Sequence, residues 1–148
     1  MRRQLHACMV KHVLKGTLSK LLAAIPAVGP ITAITMALTV NPANFETGRH
    51  FAAWIGLTPR EHSTGGKQRL GSISKAGSER LRQLLVVGAM SVIRFAKPGR
   101  KSASPWLLQL LERKPRKLAA VALANKMARI IWAMMARGEA YRRQPVAA

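Results

Sequence analysis

Ile25-Pro26-Ala27-Val28-Gly29-Pro30 is the stretch on which the fold turns. Upstream of it, Leu14, Leu18, Leu21 and Leu22 recur at helical spacing while Lys11, Lys15 and Lys20 fall on the other side. That pattern predicts a basic amphipathic helix over about residues 5–24. Downstream, Pro30 suits a first helical turn, and the apolar run that follows predicts a second helix to about Thr39. Helix, tight Gly-containing turn and helix, written Leu22-x-x-Ile25-Pro26-Ala27-Val28-Gly29-Pro30-x-x-Ala33, form a helix-hairpin-helix pattern. The turn and the start of the second helix offer backbone N–H groups that lack helical partners, at the positive end of the helix dipole. A phosphate fits there without any base being read. Val28, Gly29, Ile31 and Thr32 are therefore candidate nucleic-acid contacts. The usual pattern has Gly where this chain has Ala27, which weakens the close backbone approach. The plainer reading is an ordinary connection between two helices.

Further elements follow from local signals. Asn41-Pro42-Ala43-Asn44 is a breaker, Thr47 is placed to cap a short helix carrying Phe51, Ala52, Trp54 and Ile55, and Gly56 ends it. From Leu57 to Lys75 small and polar residues dominate, which predicts an ordered loop or a small hairpin. A long helix from about Ser78 to Phe95 carries Leu81, Leu84, Leu85, Gly88, Ala89 and Val92 on one stripe. Lys97-Pro98-Gly99 breaks it. Ser104-Pro105 reads as N-cap and first turn of a helix to about Arg113, and Pro115 opens a last helix ending near Gly138. Trp54, Trp106 and Trp132 have apolar neighbours and are expected to pack in the core rather than stack on bases. The expectation is an all-α fold: a helix-hairpin-helix core with a basic Gly/Ser-rich loop or small hairpin between helices. Residues 1–20 form a connecting helix, 20–138 the principal domain and 139–148 a flexible tail.

Charge narrows the partners. The 148 residues hold 25 Lys and Arg against 5 acidic residues, a formal net charge of +20, yet 49% are hydrophobic. A disordered polybasic tail is thereby excluded. Such a surface attracts polyanions and releases counterions on binding them, so nucleic acid is the expected partner and an anionic membrane surface the competitor. The acidic residues are Glu46, Glu61, Glu79, Glu112 and Glu139, and the chain has no Asp. Hard cations in two-metal chemistry need clustered carboxylates, so no such cofactor site is expected within this chain. Cys8 stands alone, which excludes an internal disulfide and a thiolate zinc cluster, and His6, His12, His50 and His62 lack tight ligand spacing. Residues 118–136 are nearly long enough to span a membrane, but Asn125, Lys126 and Arg129 lie among them, so a core helix is expected. No membrane contact and a cytoplasmic, nucleoid-associated location fit this reading.

The segment Gly56 to Gly77 carries the chemistry. Its small residues permit close backbone approach to a ligand. Ser63 and Thr64 place hydroxyls among Arg60, His62, Lys67, Arg69 and Lys75. A hydroxyl is a weak nucleophile until its surroundings activate it, and nearby cations would stabilise the charge of a phosphoryl transfer. The plainer reading is a solvated basic loop that contacts DNA and performs no chemistry. Further basic clusters lie at Arg80 and Arg82, at Arg94, Lys97, Arg100 and Lys101, and at Arg113, Lys114, Arg116 and Lys117.

Several of these runs occur together and in order: Ile25 to Ala33, Phe51 to Arg60, His62 to Lys67, Arg69-Leu70-Gly71, Ile73 to Gly77 and Leu81-Arg82. Over roughly residues 20–135 the chain resembles the C-terminal transposase domain of the insertion-sequence 110 family, which includes the 116, 902 and 1111 elements. The resemblance implies a DNA-binding, DNA-transposing protein whose intact form joins this domain to an N-terminal RuvC-like domain with an Asp/Glu/Asp/Asp metal site. It implies a serine that attacks DNA and forms a covalent phosphoserine link; this maps onto Ser63, with Thr64 as the weaker alternative. It also implies DNA and an element-encoded guide RNA as candidate partners, and Mg²⁺ only where the RuvC-like domain is present; a homo-oligomer is a further candidate that the sequence does not decide. Arg60, His62, Thr64, Lys67, Arg69 and Lys75 carry over as nucleic-acid contacts. The metal-binding domain lies outside the sequence, so the chain alone is expected to be an inactive transposase segment. The alternative is a basic nucleic-acid-binding remnant without catalysis.

Overall fold

The computed structural model describes residues 16–62, 64–67, 69–99 and 104–142. Its elements are helical except for one two-stranded antiparallel sheet. Residues 16–23 are the described part of α1, which the sequence places over a longer stretch beginning outside the described residues. A turn leads into α2 (Pro30–Thr39), with Pro30 in its first turn. Asn41, whose side chain accepts from the Ala43 N–H, starts a single 3₁₀ turn at Pro42–Asn44. Helix α3 (Gly48–Ile55) is capped by Thr47, whose hydroxyl accepts from the His50 N–H at 3.1 Å. Gly56 stops it in the left-handed conformation, φ 83°. After the sheet come α4 (Glu79–Arg94), capped by Ser78, α5 (Pro105–Arg113), capped by Ser104, and α6 (Arg116–Arg137), closed by Gly138 at φ 68°. The starts are written in local chemistry, a hydroxyl or a proline in each case, and α3 and α6 stop at a glycine.

Helix α6 is the spine. Ala119, Ala120, Leu123, Ala124, Met127, Ala128, Ile131 and Met134 are buried along it. The alanines let neighbouring helices approach closely. Helix α4 packs on it through Leu81, Leu85, Ala89 and Ile93, residues four apart on one face, and α3 through Phe51, Ala52 and Ile55. Leu22, Met36 and Leu107 extend the same core from α1, α2 and α5. Helix α6 is long and apolar enough to cross a bilayer, but one face of it, from Ala119 to Met134, lines this core. Asn125, in its middle, donates from Nδ2 to the Leu57 carbonyl at 3.2 Å. A polar group that closes a loop onto the helix explains why the apolar run is interrupted there.

The tryptophans depart from expectation. Trp132 is half-buried, with Nε1 donating to the Pro42 carbonyl at 3.2 Å. Trp54 and Trp106, by contrast, are 41% and 37% exposed. Trp54 packs from outside against the half-buried Phe45 and the buried Phe51, while the Lys126 ammonium lies 4.4 Å from the Trp106 ring centroid. Rings of this size cover the core from its edge and leave one side in water.

The turn after α1 is held against α4. Ala27 adopts φ 74°, the left-handed region that an L side chain disfavours. Its carbonyl oxygen faces Gly88 so closely that a Cβ built on Gly88 would lie 1.9 Å from it. Gly88 is thus the position in α4 that admits the turn, and the backbone contact replaces the side-chain packing expected of an α4 stripe residue.

Candidate nucleic-acid interface

Of the loop and the small hairpin expected after Gly56, the described residues form the hairpin. Strand β1 (Pro59–Glu61) pairs antiparallel with β2 (Leu70–Ile73), Pro59 opposite Ile73 and Glu61 opposite Leu70, so that one extra residue is accommodated between the pairs. Beyond the strands, the His62 N–H donates to the Arg69 carbonyl at 2.9 Å, and Thr64 bridges Lys67. Gly65 and Gly66 span that last pair with φ of 62° and 79°. Positive φ at both central residues is what a type I′ hairpin turn requires, and its twist matches that of the strands.

The arm is exposed almost throughout, with Ile73 half-buried at its base. A two-stranded hairpin with no apolar face is marginal by itself, so it must be fixed at its root. The Ser74 N–H donates to the Thr58 carbonyl at 2.8 Å and the Lys75 N–H to the Gly56 carbonyl at 3.2 Å. The Arg60 guanidinium donates to the Ser74 carbonyl at 3.1 Å. Arg82, from the first turns of α4, donates to both the Ile55 and Ala76 carbonyls at 2.9 Å. Backbone meets backbone here: a Cβ on Gly77 would lie 1.8 Å from the Trp54 carbonyl oxygen. The root is therefore rigidly tied to α3 and α4 while the tip projects into solvent.

Along this arm His62, Thr64, Lys67 and Arg69 are exposed, and the His62 imidazole lies over Gly71, whose Cβ would meet it at 3.0 Å. Ser63, between His62 and Thr64 in the chain, lies outside the described residues. Arg60 and Lys75 sit at the root, exposed as well. The turn residues divide differently. Gly29 is exposed and caps α2 without a side-chain hydrogen bond, and Ile31 is 64% exposed. Val28 and Thr32 are each 5% exposed, and the Val28 N–H already donates to the Ile25 carbonyl at 3.0 Å. That geometry leaves Gly29 and Ile31 as the outward part of the turn and turns Val28 and Thr32 inward.

The two groups do not merge. Arg82 marks where the arm meets α4 and Gly88 where the turn meets it; six residues at about 1.5 Å and 100° each put them roughly 9 Å apart along the helix and on different sides. Of the other basic clusters, Arg82 serves the root internally, Arg113 donates to the Gln109 carbonyl within α5, and Arg100 and Lys101 lie outside the described residues. Among the described residues no three His, Cys, Asp or Glu side chains come together as metal ligands. What was invisible in the sequence is the role of Arg82, whose partner Ile55 is 27 residues away.

A sequence profile described as "Transposase IS116/IS110/IS902 family" matches residues 19–104, more than half of the chain. The chain belongs to this family. It is 58% identical over 126 residues to a putative transposase, y4pF/y4sB, of Sinorhizobium fredii, covering 84% of this chain and 33% of that protein. It is 48% identical over 143 residues to a probable family 20 transposase of Pseudomonas aeruginosa, covering 96% and 41%. To the transposase for insertion sequence element IS1111A of Coxiella burnetii it is 45% identical over 120 residues, covering 80% and 33%. The chain thus spans between a third and two-fifths of the length of these curated relatives. The family match runs through the α1–α2 turn, the arm and α4, and ends where α5 begins.

Proposed function

We propose that this transposase segment binds DNA through the 59–73 arm and, in a complete enzyme, uses the Ser63 hydroxyl as the nucleophile of strand transfer. The observation that carries the reading is an exposed basic arm rooted in the core by Arg82 and tipped by a Gly-Gly turn. Lys67 and Arg69 would neutralise backbone phosphates, and Arg60 and Lys75 would extend the contact at the root. Small residues at the tip allow the backbone to come close to the phosphodiester. In the step itself, the Ser63 Oγ forms a bond to phosphorus as the bond to one bridging oxygen breaks. The leaving DNA hydroxyl takes up a proton and the number of phosphoester bonds is conserved. The neighbouring cations stabilise the extra charge on the phosphoryl oxygens. The exposed turn at Gly29 and Ile31 would add a contact that reads no sequence. The same cations suit an RNA backbone, so an element-encoded guide RNA is a compatible second ligand. The place of action is bacterial DNA in the cytoplasm.

One second reading has an observation behind it: the described residues hold no metal-ligand cluster, and in this reading the chain retains only binding. One experiment separates the two. The chain is incubated with donor DNA, with the N-terminal portion of a full-length relative supplied in trans, and resolved on a denaturing gel. A covalent protein–DNA adduct in the parent and in Thr64→Ala, lost in Ser63→Ala, supports the nucleophile. An adduct that survives Ser63→Ala overturns the assignment. DNA binding without any adduct favours the binding-only remnant.

A further inference from the structure

Away from the arm, the C-terminal end of α4 and the N-terminal end of α6 enclose a recess of about 470 Å³. That lies within the range of about 300–1,000 Å³ typical of sites for small organic groups. Its floor is apolar and open to water: Val87 is 67% exposed, Phe95 54% and Met90 38%. Val87, Met90, Ser91 and Arg94 share the face of α4 opposite Leu81, Leu85 and Ala89, so none is needed for the contact with α6. Arg94 and Arg116 also line it, and among the described residues no carboxylate does. The Arg94 guanidinium carbon is 6.0 Å from the Phe95 ring centroid, so cation and ring already lie side by side.

We propose that this recess takes one unpaired nucleobase and its phosphate, which makes the body of the molecule a binding site for single-stranded nucleic acid. An occupant must bring a flat apolar part for Phe95, Met90 and Val87 and an anion for Arg94 and Arg116. A nucleotide has both within one unit. A base in duplex DNA is stacked and paired and cannot enter, so the recess selects single strands. Charge argues against a second copy of this chain on the same face, because each copy carries +20 and both recesses are lined by arginine. The inference is independent of Ser63 and of the arm.

The test uses the whole chain and two fluorescein-labelled probes, a short oligothymidylate and a blunt duplex of mixed sequence, read by anisotropy at one salt concentration. Loss of a stacked base costs affinity, so Phe95→Ala should weaken the oligothymidylate complex about 10-fold. Duplex affinity should stay within about twofold, because the recess takes no paired base. Phe95→Trp should restore single-strand binding, and thermal melts should show all three proteins folded. Equal losses on both probes, or no loss on either, would overturn the proposal. So would sedimentation in which Phe95→Ala turns a dimer into a monomer with oligothymidylate affinity unchanged; the face would then be a contact between copies. The variant Lys67→Ala/Arg69→Ala keeps the two readings distinguishable: it should lower duplex affinity while single-strand binding still depends on Phe95.

Discussion

Ala27 occupies a backbone conformation made for glycine. At φ 74° its Cβ crowds the following carbonyl, at about 1–2 kcal/mol. Ala27→Gly removes that strain and adds about 0.4–1 kcal/mol of unfolded-state entropy on the other side. The net expectation is stabilisation by about 0.5–1 kcal/mol, seen as a melting temperature higher by roughly 2 °C. A lower melting point would mean that the Ala27 methyl contributes packing that outweighs its strain. Gly88 has the opposite character. Its Cβ would fall 1.9 Å from the Ala27 carbonyl oxygen, an atom of the backbone that cannot rotate away. Gly88→Ala should therefore destabilise by about 1–3 kcal/mol in urea unfolding, despite the better helix propensity of alanine. Ala27→Gly should not rescue it, since the clash is with an oxygen that both residues share.

The arm is an element whose two ends obey different rules. Its root depends on Arg82, which satisfies two carbonyls belonging to different segments. Arg82→Met keeps most of the stem and removes both bonds, and should cost about 1.5–3 kcal/mol. Hydrogen exchange at the Ser74 and Lys75 amides, which close the root, should accelerate more than exchange in α6. Uniform acceleration would show that the root opens only when the whole domain unfolds. The tip is different: replacing both Gly65 and Gly66 with Ala strains the turn at φ 62° and 79° but meets no other atom, so the exposed tip relieves the strain by opening locally, and the midpoint of global unfolding should fall by no more than the tip's own small opening energy. These two ends also mark what could be read in advance. The helix boundaries at Pro30, Thr47, Gly56, Ser78, Ser104 and Gly138 were legible because each is set by one residue's own hydrogen-bonding or φ preference. The choice between loop and hairpin was not, because a strand exposed on both faces has no apolar alternation to betray it. Nor could the chain show that Val28 and Thr32 face inward while Gly29 and Ile31 face outward, since packing against distant residues decides that. Arg82 read as one more cation of a basic cluster for the same reason.

For the molecule taken together, electrostatics decides how it meets its partner. A chain carrying +20 will bind polyanions with an affinity that falls steeply as salt rises. Affinity alone cannot tell a specific surface from a diffuse cationic coat, but the slope of log K against log salt can. Each phosphate neutralised on a duplex contributes about −0.9 to that slope, so removing a cation that truly sits on a phosphate flattens it by about one unit. Lys67 and Arg69 lie on the arm, exposed and clear of the root's internal bonds. Lys67→Ala/Arg69→Ala should therefore flatten the duplex slope by about two units, with the melting temperature unchanged. Arg82→Met also removes one charge, but that guanidinium is committed to the Ile55 and Ala76 carbonyls, so its direct effect on the slope should be small. If the two variants changed the slope in proportion to net charge alone, the arm would have no privileged role. DNA would then be held by the coat as a whole, with nothing to bring a phosphate to Ser63 in preference to any other hydroxyl.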